Sequence, residues 1–178
     1  MISSFGVLSG NGNVQLLAVS SVVNFDAKCS ERTSAFSMFD NAVIVAIGLH
    51  KYKKELEVVL ETEKIDVCST AETHFTNESY FKIKNFEIYH TIHPVNCARG
   101  GSAVIVRSSI KHHEDVETSS DMFQTTSVII ETDNFPLCLT SLYSPPRHSI
   151  KTEDYKDLFN LTGEKFIIGG DFTGHSAS

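Results

Sequence analysis

The chain has 178 residues, a formal net charge of -7, and 41% apolar against 21% charged residues. That is ordinary globular composition, long enough for one domain with a sizeable core. An acidic chain is no general polyanion binder unless it concentrates positive potential on one face. Two stretches could do so: Arg99, Arg107, Lys111, His112 and His113, and then Arg147, His148 and Lys151 after the Pro145-Pro146 turn. Taken alone, each reads more simply as solvated loops of mixed charge. Four cysteines, Cys29, Cys68, Cys97 and Cys138, lie far apart with no CxxC pair. This argues against a disulfide scaffold or zinc site and for a reducing compartment, with Cys68 and Cys138 as small fillers inside strands.

In chain order, residues 1–41 are rich in Ser, Gly and Asn, lack sustained periodicity, and form an N-terminal region of uncertain structure. The apolar stretch 14–23 within it is too short to span a bilayer, and no Lys or Arg precedes it as in a signal peptide. The expectation is an intracellular protein, nuclear or cytoplasmic, with no membrane partner. The sequons at Asn77 and Asn160 then carry no meaning.

From Ala42 the pattern sharpens. A strand over 43–47 leads to a helix over 51–64, in which Tyr52, Leu56, Val59 and Leu60 fall at helical spacing. Lys53, Lys54, Glu55, Glu57 and Glu61 take the wet face. Strands are expected at 65–72, Phe86–Thr91, Ser102–Arg107, 123–131 and 137–143, split by Asn, Gly and Pro turns. A helix over 153–162, with Tyr155, Leu158 and Phe159 as its buried stripe, leads into the strand FIIGGD. Strands outnumber helices and follow one another in hairpin-like succession, which favours a mixed sheet over a purely parallel one.

Two of these strands end on a carboxylate: IDVCSTAE on Glu72 and FIIGGD on Asp171. Strand ends meet the loops that carry chemistry, and paired carboxylates suit a hard cation such as magnesium. On spacing alone both could equally be turn caps, and Tyr143 a half-buried strand aromatic. His90 and His93 would point to opposite faces of a strand, as isolated surface histidines.

AETH at 71–74, ARGGSAVIVR at 98–107, LYSPPR at 142–147 and IIGGDF at 167–172 occur in the order seen in the endonuclease/exonuclease/phosphatase superfamily. More narrowly, LHKYKKELEVVLETEKIDVCSTAETHFT followed by IHPVNCARGGSAVIVR resembles the apurinic-endonuclease-like domain that opens the polyprotein of jockey-type non-LTR retrotransposons. The likeness covers about residues 42–175. Each motif is weak alone; four in order, in matching strand contexts, are a strong signal.

The resemblance implies an α/β (α+β) fold, a two-sheet mixed β-sandwich flanked by helices (DNase I-like). It would be a partial domain over 42–178, incomplete at the C-terminus, with its site at one end. It implies a magnesium-dependent endonuclease, with manganese as a substitute, that nicks DNA and is joined to a reverse transcriptase domain in the full-length polyprotein. Glu72 would hold the metal with Asp171, and Asp171 would also position or activate the attacking water. Tyr143 of the Y-x-P motif would lie against the scissile phosphate. Arg99, Gly100, Gly101 and Arg147 would contact nucleic acid, the glycines by leaving room for close approach.

The chain departs from the family pattern at three places. Residues 45–48, Val-Ala-Ile-Gly, stand where the family has a metal-holding asparagine, and Ile47 can neither coordinate nor donate. Thr173 replaces the asparagine of GDxN, keeping a hydroxyl of shorter reach in the catalytic set. The terminal Ser-Asp-His motif lies beyond Ser178, and His175 would be only a neighbour of the site. A truncated, decayed copy explains these departures together. The competing readings are an active nicking enzyme and a catalytically inactive remnant that keeps a nucleic-acid- or protein-binding surface. A lipid or inositol phosphodiesterase is disfavoured by the wording of residues 49–107.

Overall fold

The computed structural model describes residues 6–9, 15–18, 41–45, 49–115, 118–148, 150–162 and 165–171. Within them lie two stacked sheets, each with a helix on its outer face, so the layers run helix, sheet, sheet, helix.

The first sheet has the order β3 (Asn41–Val45), β4 (Val67–Ala71), β6 (Ser102–Arg107), β5 (Phe86–Thr91), with β3 and β4 parallel and the other pairs antiparallel. The second has the order β11 (Phe166–Asp171), β10 (Pro136–Tyr143), β9 (Gln124–Glu131), β7 (His112–Glu114), with β8 (Thr118–Ser119) also on β9. Here β10 and β11 are parallel and the rest antiparallel. Both sheets are therefore mixed, as expected. β1 (Gly6–Ser9) and β2 (Gln15–Ala18) pair with each other as a separate antiparallel ribbon.

The period-2 alternation of the strands sorts their side chains. Val67, Val104, Val106, Val128, Ile130, Leu137 and Leu139 meet in a buried cluster between the sheets. The alternate residues face outward: Cys68, Ile105 and Ile88 pack with Leu56, Leu60 and Val59 of α1 (Lys53–Thr62). Leu142 and Ile168 pack with Leu158 and Tyr155 of α2 (Thr152–Leu161). Leu56, Val59 and Leu60 of the stripe expected for α1 pack there, whereas Tyr52 lies outside the helix and the cluster. The entry to α1 differs from the expected start, because Leu49–Tyr52 forms a 3-10 turn first. The side chain of Phe159, assigned to the stripe of α2, lies outside the described residues, as do residues 46–48, Thr173 and His175.

The space between the sheets is graded along the strands. Toward the ends carrying Ala71, Ser102, Thr126 and Ser141, the apolar cluster gives way to hydroxyls that bond across it. Ser102 Oγ and Thr126 Oγ1 are 2.8 Å apart, Thr91 donates to the Thr125 carbonyl at 2.7 Å, and Ser141 donates to the Thr70 carbonyl at 2.6 Å. These buried hydroxyls are tolerated because they find partners. This polar end of the sandwich is where the strand-end carboxylates emerge.

Several expectations from sequence are corrected. His93 is not a surface histidine; it follows β5 and is 2% exposed. The first basic stretch is not one cluster either, since Arg99 and Arg107 flank opposite ends of β6. Arg107 pairs with Asp66 at 2.9 Å, while Lys111 and His113 both pair with Glu131. Cys68 and Cys138 are buried inside their strands, as expected of small fillers. No helix among the described residues is long and apolar enough to cross a membrane.

Candidate active site at the polar end of the sandwich

Register brings the expected residues together. Ala71 is opposite Ser102, so Glu72 and the Gly100-Gly101 pair leave the first sheet side by side. In the second sheet Gln124 is opposite Tyr143, and Tyr143 opposite Asp171. Glu72, Tyr143 and Asp171 therefore share one mouth. Tyr143 is 8% exposed, whereas Glu72 and Asp171 are half-buried.

The electrostatics of Tyr143 report that proximity. Its pKa is pushed up to about 12, first by burial, then by the charge of Glu72 and a hydrogen bond to it, then by the charge of Asp171, with Arg147 opposing. The Asp171 backbone is tied down by a bond from Ser144 N to its carbonyl at 3.0 Å. Burial also raises the pKa of Tyr155 on α2, with Ser144 opposing and Asp171 reinforcing the shift.

Backbone in the left-handed region surrounds Glu72. Glu72 itself has φ 55° and His74 φ 58°, a conformation uncommon for residues with a side chain and concentrated at functional sites. Gly100 faces them at φ 61°, and a Cβ there would run into Gln124 Oε1 and lie 2.8 Å from the Tyr143 ring. Only glycine fits. His74 N donates to the Gly100 carbonyl at 2.9 Å, binding the two turns together.

Arg99 and Arg147 are exposed at this same end. Both act on His93, whose pKa is lowered first by burial and then by Arg99 and Arg147, with Asp121 opposing. His93 is thereby kept as a neutral imidazole beside two cations. Its Nδ1 accepts from Val95 N at 3.3 Å, which leaves the proton on Nε2. Reasoning from sequence missed His93 and Gln124. The spacing of His93 pointed elsewhere, and nothing local marks Gln124, whose partner Gly101 is 23 positions away.

No group of three or more His, Cys, Asp and Glu residues that could cage a metal occurs among the described residues. Two carboxylates within electrostatic reach of one phenol still fit magnesium, which takes one or two carboxylates and completes its shell with water and substrate oxygens.

Two stacked mixed sheets with this mouth define the chain as a protein of the endonuclease/exonuclease/phosphatase fold. It superposes on the endonuclease domain of TRAS1, a telomere-specific non-LTR retrotransposon, with a TM-score of 0.55 at 18% identity, covering 75% of this chain and 61% of that one. It also superposes on an endonuclease/exonuclease/phosphatase family protein from Leptotrichia buccalis, with a TM-score of 0.53 at 13% identity, covering 74% and 66%. In sequence it is 34% identical over 130 residues to the RNA-directed DNA polymerase from mobile element jockey of Drosophila funebris, covering 73% of this chain and 14% of the relative. The chain thus matches a stretch of the jockey-type retrotransposon polyproteins and has the fold of a retrotransposon endonuclease domain. It spans about 14% of the length of the curated relatives it matches. No protein-family profile matches it.

Proposed function

We propose that this chain is a magnesium-dependent endonuclease domain that nicks DNA, acting beside a reverse transcriptase domain of a longer polyprotein. The reading is supported most by the strand register that brings Glu72, Tyr143 and Asp171 to one mouth, where burial and then the charges of both carboxylates raise the Tyr143 pKa. Glu72 and Asp171 would hold the cation, for which manganese could substitute. When bound there, magnesium supplies polarisation of a phosphoryl oxygen and stabilisation of the departing alkoxide.

The rest belongs to the chain's own residues. With its pKa near 12, Tyr143 stays protonated throughout the physiological range and acts as a hydrogen-bond donor to charge developing on the phosphate, never as a base. Asp171 would orient or deprotonate the attacking water. Thr173, two residues on, would donate its hydroxyl to the phosphate. Arg99 and Arg147 would hold the flanking backbone at the rim, and Gly100 and Gly101 let that backbone come close.

A plasmid-nicking assay tests this reading. Magnesium-dependent relaxation by the wild type, reduced about 100-fold or more in Glu72→Gln and in Asp171→Asn, is the expected result. The absence of an amide at residues 45–48, together with Thr173, favours a second reading: an inactive remnant that still binds nucleic acid or protein. No relaxation with retained DNA retardation would select it and overturn the first.

A further inference from the structure

We infer that the chain binds one unhydrated monovalent cation, potassium by size, in a small cavity between α2 and the outer face of the second sheet. The cavity measures about 20 Å³, room for a single water-sized particle. Asp115, Thr118, Thr125, Ser127, Thr140 and Thr162 line it, so every lining residue but Leu158 carries a side-chain oxygen.

The strand pattern gathers these oxygens. On β9 and β10 the alternation that sends Thr126 and Ser141 between the sheets sends Thr125, Ser127 and Thr140 outward. Ser127 is the ladder partner of Thr140, and their hydroxyl oxygens are 2.9 Å apart. Asp115 N donates to the Ser127 carbonyl at 2.9 Å, which sets Asp115 beside that pair. Thr118 is the ladder partner of Thr125. Leu158 and Thr162 bring in the C-terminal end of α2.

Negative charge collects here without a cation of the chain's own. Asp115 is half-buried, and among the described residues no lysine, arginine or histidine pairs with it. Its carboxylate meets the Cys138 thiol, a weak donor, at 4.0 Å. The last turn of α2 has no basic residue to offset the partial negative charge of its terminal carbonyls. Lys165, the first basic residue after the helix, lies over the Phe135 ring, 3.6 Å from its centroid.

A water molecule fits the space but leaves the carboxylate uncompensated. Magnesium keeps several waters of its own, for which there is no room, and calcium brings a double charge to a single carboxylate. A singly charged ion matches that carboxylate, hard cations favour oxygen ligands, and potassium is close to water in size. Bound there, the ion ties the end of α2, from which the chain enters β11, to β9 and β10. Nothing in this inference depends on the nuclease reading.

The test follows thermal unfolding of the full chain in potassium chloride and in choline chloride at equal ionic strength, so that general screening is the same in both. With potassium at about ten times its dissociation constant, Tm should lie about 3–6 °C higher than in choline, and the gain should saturate with concentration. Asp115→Asn, which keeps the shape and removes the charge, should lose most of that gain. Crystals of the wild type grown in rubidium chloride, rubidium being a potassium surrogate that scatters anomalously, should show an anomalous peak between Asp115, Ser127 and Thr140. Equal Tm values in the two salts, or a gain as large in Asp115→Asn as in the wild type, overturns the inference. So does a cavity without an anomalous peak, which then holds water only. The rubidium measurement needs no variant and decides the matter if Asp115→Asn does not fold.

Discussion

The charge of Glu72 reaches the buried Tyr143 phenol across the gap between two sheets and helps to raise its pKa, although 71 positions separate the two residues in the chain. The two residues arrive by different routes. Glu72 overshoots the end of β4, and Tyr143 closes β10, whose parallel partner β11 sets Asp171 beside it. Without that register, a one-residue slip would turn Tyr143 out of the mouth.

This proximity makes the fold sensitive to alkali. Tyr143 and Tyr89 both have folded-state pKa values near 12 against an ordinary 10.0. For a raised value, the unfolded chain binds fewer protons in the interval between the two, so stability is complete below about pH 10 and is lost as pH rises through about 12. Urea unfolding at about pH 9 and about pH 11 should show a steeper loss in the wild type than in a Tyr89→Phe, Tyr143→Phe double variant. Equal losses would mean that neither phenol is held as described.

Gly100 should tolerate no side chain. Gly100→Ala meets Gln124 Oε1 and the Tyr143 ring and must hold φ 61° as well. A left-handed alanine and a small overpacking each cost on the order of 1–3 kcal/mol. Denaturant titration should therefore show a loss of at least about 1 kcal/mol, with nicking reduced further than stability explains, because Tyr143 is the group displaced. A variant of wild-type stability and activity would exclude this close approach. At the other glycine that matters, Gly170 with φ 148°, a Cβ would run into the Leu142 backbone carbonyl, which explains why FIIGGD needs its second glycine.

Much of this architecture is legible in the sequence, and the exceptions share a cause. The β-branched runs of β4, β6, β9 and β11 announce themselves by alternation, and β4 and β11 run out at the proposed site residues Glu72 and Asp171. His112–Glu114 and Thr118–Ser119 carry no such run and become strands only because β9 offers them a ladder. The 3-10 turn at Leu49–Tyr52 is hidden for a similar reason, since Leu49 is held by a bond from its N to the Thr73 carbonyl at 3.2 Å. At the site, Glu72, Tyr143 and Asp171 can be found from strand ends and motifs. Gln124 and His93 cannot, because what distinguishes them is a partner supplied by another element.

The division of the basic residues makes a separable expectation. Arg99 and Arg147 stand at the mouth, while Arg107 lies at the far end of β6, bonded to Asp66 and to the Ile65 carbonyl at 2.9 Å and stacked 4.7 Å from the Phe86 ring centroid. Arg99→Gln and Arg147→Gln should each weaken DNA retardation. Each should also flatten the slope of log affinity against log salt by about 0.7–0.9 for every phosphate left without its cation. Arg107→Gln should leave that slope unchanged and instead cost about 1–2 kcal/mol of stability. Equal effects on binding from all three would contradict the placement of the mouth.

The hydroxyls between the sheets offer a test of the fold that needs no activity. Thr126 Oγ1 lies 2.8 Å from Ser102 Oγ and 3.0 Å from Thr91 Oγ1, joining β9 to β6 and β5 in a region closed to water. Thr126→Val has nearly the same shape but leaves the Ser102 hydroxyl without this partner, at a cost of about 1–3 kcal/mol by urea unfolding. A Thr126→Val, Ser102→Ala double variant removes both polar groups and should recover part of that loss, because no hydroxyl of the pair is then stranded. Strict additivity of the two single changes would show that the sheets are not coupled through this bond. In that case the apolar cluster at the other end, with the bonds from Ser141 to the Thr70 carbonyl and from Thr91 to the Thr125 carbonyl, would set their spacing.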